Sequence, residues 1–421
     1  MHTKLAPDFK NTADGLAAAA ILRKCVHCGF CNATCPTYQL LGDELDGPRG
    51  RIYLMKQVLE GQAPTRKTQL HLDRCLTCRN CESTCPSGVD YGHLVDIGRK
   101  LVDAKVPRPL PEQALRWALK EGLPSPLFGP AMKLGQLVRP LLPAALKAKV
   151  PAPQASGSWP SRIHPRKVLL LAGCVQPAMS PNINRATARV LDAIGVQAVV
   201  APKAGCCGAV KFHLNDQEGG KAQMRATIDA WWPHVQAQDG EAGVEAILMN
   251  ASGCGVTVKD YGHLLADDPH YAAKAARISA LTKDLSEWLP ELSAQLKERV
   301  KPTGQSIAFH PPCTLQHGQQ LRGGVEQHLR TLGFQVKLTG CEPHLCCGSA
   351  GTYSVLNPEL AYQLRDRKLG HLSQTFGTAA TEVIVSANIG CITHLQSGTA
   401  TPVRHWVELL DQALQPPSAS L

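Results

Sequence analysis

The residues Cys25-Val26-His27-Cys28-Gly29-Phe30-Cys31-Asn32-Ala33-Thr34-Cys35-Pro36 return fifty positions later as Cys75-Leu76-Thr77-Cys78-Arg79-Asn80-Cys81-Glu82-Ser83-Thr84-Cys85-Pro86. Both copies read C-x2-C-x2-C-x3-C-P, the spacing of a [4Fe–4S] binding run. Soft thiolates suit iron–sulfur clusters, and three of them two residues apart can wrap one face of a cube. Pro36 and Pro86 prevent a helix from running on through the fourth Cys, which turns that thiol away from its own three. Paired zinc sites or disulfides are the competing reading, and two complete runs argue against both.

In two-cluster ferredoxins the fourth Cys of each run ligates the other cluster. On that pattern cluster one takes Cys25, Cys28, Cys31 and Cys85, and cluster two takes Cys75, Cys78, Cys81 and Cys35. Of the 17 cysteines in the 421 residues, eight lie in these runs and four more form two adjacent Cys-Cys pairs. Such usage suggests metal in a reducing compartment rather than a secreted disulfide framework. The start of the chain, Met1 to Asp8, lacks the apolar core of a signal peptide, and no apolar run has the length of a membrane span. The expectation is a cytoplasmic protein, with any contact to the inner face of the cytoplasmic membrane peripheral.

The formal charge is +10. Residues 105–167 hold eleven Lys/Arg against two Glu, so most of the excess sits there. An acidic partner, a lipid surface or a solvated linker each fits such a segment. Nucleic acid does not, because aromatics are only 5% and are not interleaved with the basic residues. Twelve of the 31 prolines also fall between Pro107 and Pro165, which marks a domain connection. Its middle carries Leu127, Phe128, Leu134, Leu137, Leu141 and Leu146 among Lys133, Arg139, Lys147 and Lys149. That pattern fits an amphipathic surface for membrane or partner, or packing against the chain itself.

Around the cysteine runs, helical spacing is expected over Asn11 to Lys24, Arg51 to Glu60, Thr68 to Asp73 and Tyr91 to Val102. Arg23, Lys24, Arg49, Arg51, Arg74 and Arg79 lie near the runs and are candidates to offset cluster charge. His27 sits between two ligands and reads as a loop residue, since the Cys set is already complete.

Beyond Arg166 the sequence repeats itself. Val168 to Cys174 is an apolar strand ending on Cys, and its match is Ile307-Ala308-Phe309-His310-Pro311-Pro312-Cys313. Each is followed by a helix (Thr187 to Ile194; Gly324 to Leu332) and a short strand (Val196 to Val200; Phe334 to Leu338). Each then reaches Cys-Cys-Gly, at Cys206-Cys207-Gly208 and Cys346-Cys347-Gly348, and later an apolar strand ending on Cys254 or Cys391. The spacings are 32 against 33 residues to the pair and 47 against 44 onward, so these are two copies of one unit. Alternating strands and helices imply largely parallel α/β domains, with sites at the strand ends. Four thiols should converge in each copy: Cys174, Cys206, Cys207 and Cys254 in the first, Cys313, Cys346, Cys347 and Cys391 in the second. Cys341 has no counterpart and reads as structural. His310, His344 and His394 flank the second set, whereas only His213 lies near the first pair.

These residues resemble the cysteine-rich CCG family of heterodisulfide reductase subunits, lactate-utilisation proteins and anaerobic glycerol-3-phosphate dehydrogenase subunits. The helices between the cysteine runs resemble the helical ferredoxin domain of succinate dehydrogenase iron–sulfur subunits. Nearly the whole chain is similar to the iron–sulfur subunits of bacterial glycolate oxidases, above all at Cys25 to Cys31, Gly42 to Ile52, Gly205 to Val210 and His344 to Tyr353. The resemblance implies a helical two-[4Fe–4S] ferredoxin domain (1–106), a Pro-rich basic connection (107–166) and two tandem α/β CCG repeats (167–300 and 301–421). It also implies two FAD-bearing partner subunits that oxidise glycolate to glyoxylate and often accept D-lactate too. This chain has no G-x-G-x-x-G and no P-loop, hence no evident flavin site of its own. Hydride removal suits a flavin and single-electron transfer suits clusters. The expected role is therefore a relay from partner flavin through both clusters to an acceptor such as a quinone. Alternatives are a lactate or glycerol-3-phosphate dehydrogenase subunit, or a heterodisulfide-reductase-like subunit with its own catalytic CCG site. In heterodisulfide reductase the CCG unit ends in Cys-x-x-Cys. Here Ala251 and Asn388 stand three residues before the last Cys, so each unit has four cysteines. A third conventional cluster, a thiol–disulfide site and structural cysteines are the readings this leaves open.

Overall fold

Helix α1 (Ala13–Lys24) opens at Thr12, whose hydroxyl accepts the N–H of Gly15, and ends where Cys25 turns extended. Helices α2 (Pro48–Leu59), α3 (Arg66–Asp73) and α4 (Tyr91–Lys105) complete the N-terminal body. The computed structural model describes residues 1–147, 149–236, 243–302, 304–374 and 382–415. Leu22, Ile52, Met55, Val58, Leu72, Leu94 and Val95 form the buried seam between these helices. Gly98 lets α4 close on α2, since a Cβ there would lie 2.3 Å from the Met55 sulfur. The helix expected from Arg51 begins three residues earlier, at Pro48, and Pro36 opens a new helix, Pro36–Leu41, after the one before Cys35 has ended at Ala33. Both prolines occupy first-turn positions, where a missing N–H costs nothing.

The Pro-rich connection is more structured than its composition suggests. It holds the helices Leu110–Gly122 and Phe128–Leu137, with Pro111 and Pro130 in their first turns. Arg108 pairs with Asp73 and Asp103, and Arg116 with Asp73, so part of the basic charge is spent fastening the segment to the N-terminal body. Its apolar side chains point outward: Leu110, Trp117, Leu127, Leu134, Leu137 and Leu141 are exposed.

Two four-stranded sheets follow. The first has strands β1 (Arg166–Leu170), β2 (Val196–Val199), β3 (Ile247–Met249) and β4 (Thr282–Asp284), in the order β2-β1-β3-β4. The second has β5 (Ser306–Phe309), β6 (Gln335–Leu338), β7 (Val383–Ser386) and β8 (Val403–His405), in the order β6-β5-β7-β8. All pairings are parallel, with Leu169 opposite Ile247 and Ile307 opposite Val383. Identical order and direction make the two units structural copies. One continuous core joins them, including Val168, Leu170 and Leu248 from the first sheet and Ile307, Phe309 and Val385 from the second. Across the seam Ser252 N donates to Ala387 O at 3.0 Å, and Arg189 pairs with Asp411 at 2.6 Å. β4 and β8 escape the sequence reading because three residues with polar members carry no strand signal. Cys254 and Cys391 also lie elsewhere than expected: each sits in the first turn of a helix, Ser252–Lys259 or Ile389–Gln396, just past the strand.

Candidate metal centres

Each cysteine run folds into a loop with the same backbone turns. His27 and Thr77, the third residues of the two runs, have φ of 59° and 51°; Gly29 and Arg79, the fifth, have φ of 86° and 60°. Non-glycine residues are rarely left-handed, and such strain concentrates where a loop must wrap something. Successive turns of this kind aim N–H groups inward, a concavity suited to an anionic centre. Thr77 N indeed donates to Cys75 Sγ at 3.4 Å.

The thiols gather in two groups. One cleft, of about 430 Å³, is lined by Cys25, Cys28, Cys31 and Cys85, and by Cys81, which it shares with the second cleft. The Cys31 thiol is pushed up to about 11 by burial and by the nearby Cys25, Cys85 and Cys28. A second cleft, of about 300 Å³, is lined by Cys35, Cys75, Cys78 and Cys81. Burial and the neighbouring Cys78, Cys75 and Cys35 push the Cys81 thiol well up. The fourth Cys of each run therefore stands with the first three of the other. Thiols crowded this closely resist ionising together until a cation neutralises them, which is what iron in a cluster supplies.

The two groups differ in setting. Cys28 is exposed, and around it Val26, Phe30 and Tyr53 present apolar surface to solvent. The second group is enclosed and hydrogen-bonded. Tyr91 Oη donates to Cys75 Sγ at 3.7 Å, the Thr37 hydroxyl lies 3.3 Å from Cys35 Sγ, and Arg51 Nη1 reaches Cys35 Sγ at 4.0 Å. Arg51 is 1 % exposed. Burial opposes its charge, but Cys75, Tyr91, Cys35 and Asp46 around it hold the guanidinium protonated. Asp46, fully buried, takes Arg51 at 3.4 Å, Arg74 at 2.8 Å and His71 Nδ1 at 3.0 Å. Arg99, absent from the sequence candidates, donates to the carbonyls of Leu72 and Cys75. Its only signal was a cation on the buried face of α4. Arg23 and Lys24 are exposed, and Arg49 and Arg79 pair with Glu44 and Glu82.

The CCG cysteines converge as two chains of thiols. In the second repeat Cys313 and Cys346 are 3.8 Å apart, Cys346 touches Cys347, and Cys347 touches Cys391. All four are buried. Cys313 is pushed well up, by its bond to Cys346 and by burial. In the first repeat Cys206 contacts both Cys174 and Cys207, and Cys207 contacts Cys254. Hydrogen bonds from Cys174 and Cys207, then from the N–H groups of Gly208 and Val210, hold Cys206 far below the ordinary thiol range. Gly208 and Gly348 have φ of 89° and 88°, and a Cβ at Gly348 would lie 2.4 Å from Ala361 O. Of the flanking histidines, His310 is enclosed with Cys347 and Cys391. His394 turns away to Ala361 O at 3.1 Å, and His213 pairs with Asp96. The His344 carbonyl accepts from Asn80 Nδ2 and approaches His317 Nε2 at 3.0 Å, while Cys341 is exposed.

The N-terminal body is wedged against both repeats. On the second-repeat side Cys78 packs with Cys313 and Cys346 in one apolar cluster that also holds Leu76 and Tyr353. Ser83 Oγ lies 3.0 Å from His317 Nδ1, and His317 belongs to a π-helical turn, Thr314–Gly318, directly after Cys313. On the first-repeat side His93 lies between Asp90 at 2.7 Å and Asp260 at 2.8 Å and stacks on His263. Burial opposes its charge, yet bonds to Asp260 and Asp90 outweigh it and push His93 up to about 10. A raised histidine stabilises fully below its unfolded value, near 6.5, and that contribution disappears as pH rises through about 10. The melting-temperature gap between wild type and His93→Ala should therefore be widest near pH 6 and close above pH 10. A gap that widens with pH would refute the assignment.

Residues 21–89 match the family model of the 4Fe-4S dicluster domain, and residues 168–259 and 307–396 match that of the Cysteine-rich domain. The chain is 54% identical to the glycolate oxidase iron-sulfur subunit of Escherichia coli, over 99% of this chain and 100% of that one. It is 32% identical to a probable glycolate oxidase iron-sulfur subunit of Bacillus subtilis, over 90% and 89%. Lactate utilization protein A of Geobacillus kaustophilus aligns at 25% identity over 58% of this chain and 98% of that protein. With both domain types matched and such coverage, the chain is an oxidoreductase component with iron–sulfur clusters and belongs to the family of glycolate oxidase iron-sulfur subunits.

Proposed function

We propose that this chain is the electron relay of a glycolate oxidase complex, divided at about residues 106, 166 and 300 into ferredoxin domain, connection and two CCG repeats. Cluster one is held by Cys25, Cys28, Cys31 and Cys85, and cluster two by Cys75, Cys78, Cys81 and Cys35. FAD on two partner subunits would oxidise glycolate to glyoxylate, with D-lactate accepted as an alternative substrate, and would pass single electrons to cluster one. Cluster two receives them, and an acceptor such as a quinone takes them on. The observation that carries this order is the contrast between the two thiol groups. Cys28 lies at the surface amid exposed Val26 and Phe30, whereas Cys78 packs on Cys313 and Cys346 of the second repeat. Arg51 and the hydrogen bonds to Cys35 and Cys75 favour an electron on cluster two.

A catalytic CCG reading is favoured by one feature, a cleft of about 310 Å³ lined by Cys174, Cys254, Gln176 and Asn250 in the first repeat. No helix among the described residues is long and apolar enough to cross a membrane. Contact with the cytoplasmic face of a membrane would fall to the exposed Leu134, Leu137 and Leu141 beside Lys133.

Anaerobic mixing tests the relay. Glycolate should bleach the cluster absorbance only when the flavoprotein partners are present, and Phe30→Glu should slow that bleaching at least about tenfold by disrupting an interface anchor. Glycolate oxidation by this chain alone would overturn the relay reading and favour the catalytic one.

A further inference from the structure

His310 is 1 % exposed, and neither ring nitrogen has a hydrogen-bond partner. An imidazole buried this way forfeits its bonds to water on both nitrogens, which is costly unless other partners replace them. Buried polar groups are nearly always satisfied, so this one calls for a partner that the protein atoms do not provide. Its surroundings indicate which. One ring nitrogen lies within 4.8 Å of both Cys347 Sγ and Cys391 Sγ, which are also within that distance of each other. Cys346 and Cys313 continue the chain of thiols from Cys347. Imidazole and thiolate together are a donor set for zinc or for iron–sulfur centres.

Comparison of the two repeats isolates what is special here. Both have four thiols at equivalent places, and both have a residue three positions before the first Cys at the end of the leading strand. In the first repeat that residue is Leu171, buried and apolar; in the second it is His310. A second difference falls on the helix behind the site. Twenty-one residues after the Cys-Cys pair stands Ile228 in the first repeat and Lys368 in the second, each buried. Lys368 Nζ donates to Glu342 O at 2.6 Å. Burial opposes the charge of Lys368, and the negative groups that favour it are Cys347, Cys346 and Glu342; a buried ammonium needs such an anion nearby. Packing accounts for neither replacement, since Leu and Ile fill the same places in the sister unit. A nitrogen donor and a buried cation added to four soft donors amount to a site for an anionic metal centre.

The number of donors separates zinc from a cluster. A structural zinc closes its shell with four ligands. Here five donors line up, with Cys313 and Cys346 at one end and His310 and Cys391 at the other. Cys313 and Cys346 also share an apolar cluster with Cys78, so the set stands beside the second ferredoxin cluster, where a redox centre would receive its electron.

We propose that the second repeat binds a third iron–sulfur centre on Cys313, Cys346, Cys347 and Cys391, with the imidazole of His310 as its nitrogen ligand. This rests on the reading of the repeats as redox units and names the group that completes one of them. In related chemistry, exchanging thiolate for imidazole raises the potential of a cluster, which suits a terminal acceptor.

The test uses the full chain, purified anaerobically and labelled with 57Fe. Mössbauer spectra and iron content should resolve a centre beyond the two of the N-terminal domain. Pulsed EPR of the reduced protein should detect a strongly coupled nitrogen. Cys347→Ser should remove that centre while both N-terminal clusters keep their signals, which also verifies folding. His310→Cys should retain the iron, lose the nitrogen coupling and shift the midpoint potential of the centre downward. His310→Leu, copying the first repeat, should lose the coupling and the third centre together. Cys207→Ser should leave the coupling intact. A wild-type chain with no third centre would overturn the redox reading of the repeats. A third centre present without nitrogen coupling, and unshifted in His310→Cys, would overturn the ligand assignment alone. A single zinc with no added iron would overturn the cluster in favour of a structural site.

Discussion

Cys85→Ser is expected to abolish cluster one, although Cys85 belongs to the second cysteine run. The thiol of Cys85 lines the same cleft as Cys25, Cys28 and Cys31, while Cys35 lines the one with Cys75 and Cys78. The variant should lose about four irons per chain and the EPR signal of the exposed cluster. Cluster two should keep its signal, and glycolate-driven electron delivery in the assembled complex should fall to background. Cys35→Ser should do the converse. Loss of the Cys75-Cys78-Cys81 centre in Cys85→Ser, with the other retained, would mean that each run holds its own cluster.

Arg51→Met should be the most damaging change that touches no thiol. Its guanidinium is 1 % exposed and donates to the His71 carbonyl at 2.7 Å and to Thr37 Oγ1 at 3.1 Å. Removing one member of a buried ion pair costs roughly 3–5 kcal/mol, because the partner is left charged and enclosed. Asp46 retains Arg74 and His71, so the lower end of that range is expected. The cation also stands beside Cys35 and Cys75, so the midpoint potential of cluster two should fall when it is removed. Arg51→Lys should not rescue either effect, since an ammonium cannot reach Thr37, His71 and Asp46 at once. Anaerobic thermal unfolding and redox titration measure the two consequences separately. An unchanged melting temperature together with an unchanged potential would remove Arg51 from the account.

How much of this was legible beforehand follows from the kind of signal each feature leaves. Cysteine spacing is local and specific, so both runs and both Cys-Cys-Gly units stood out. The repeat was visible because Cys174 and Cys313, with their pairs, keep nearly the same distances. Helix boundaries slipped by a few residues where a proline changed role: Pro48 starts a helix that the sequence reading began at Arg51. β4 and β8 were missed because Thr282–Asp284 and Val403–His405 are short and partly polar, and they are strands only by pairing with β3 and β7. Convergence of side chains from distant segments left no local trace at all. Nothing in the sequence distinguished His310, which faces Cys347 and Cys391, from His394, which bonds to Ala361 O. Arg99 and His317 were unmarked for the same reason: their partners lie on other elements. The outward turn of Leu134, Leu137 and Leu141 was likewise undecidable from an amphipathic pattern that fits both a packed and an exposed face.

The central claim is that eight thiolates of one domain hold two [4Fe–4S] clusters that carry the electrons. Its most direct test is iron and acid-labile sulfide analysis of the anaerobically purified chain, with Mössbauer spectroscopy to assign every iron to its cluster type. The account predicts at least about eight irons and eight sulfides per chain, with about eight of those irons in two [4Fe–4S] clusters. A fully occupied preparation holding only about four irons would contradict it.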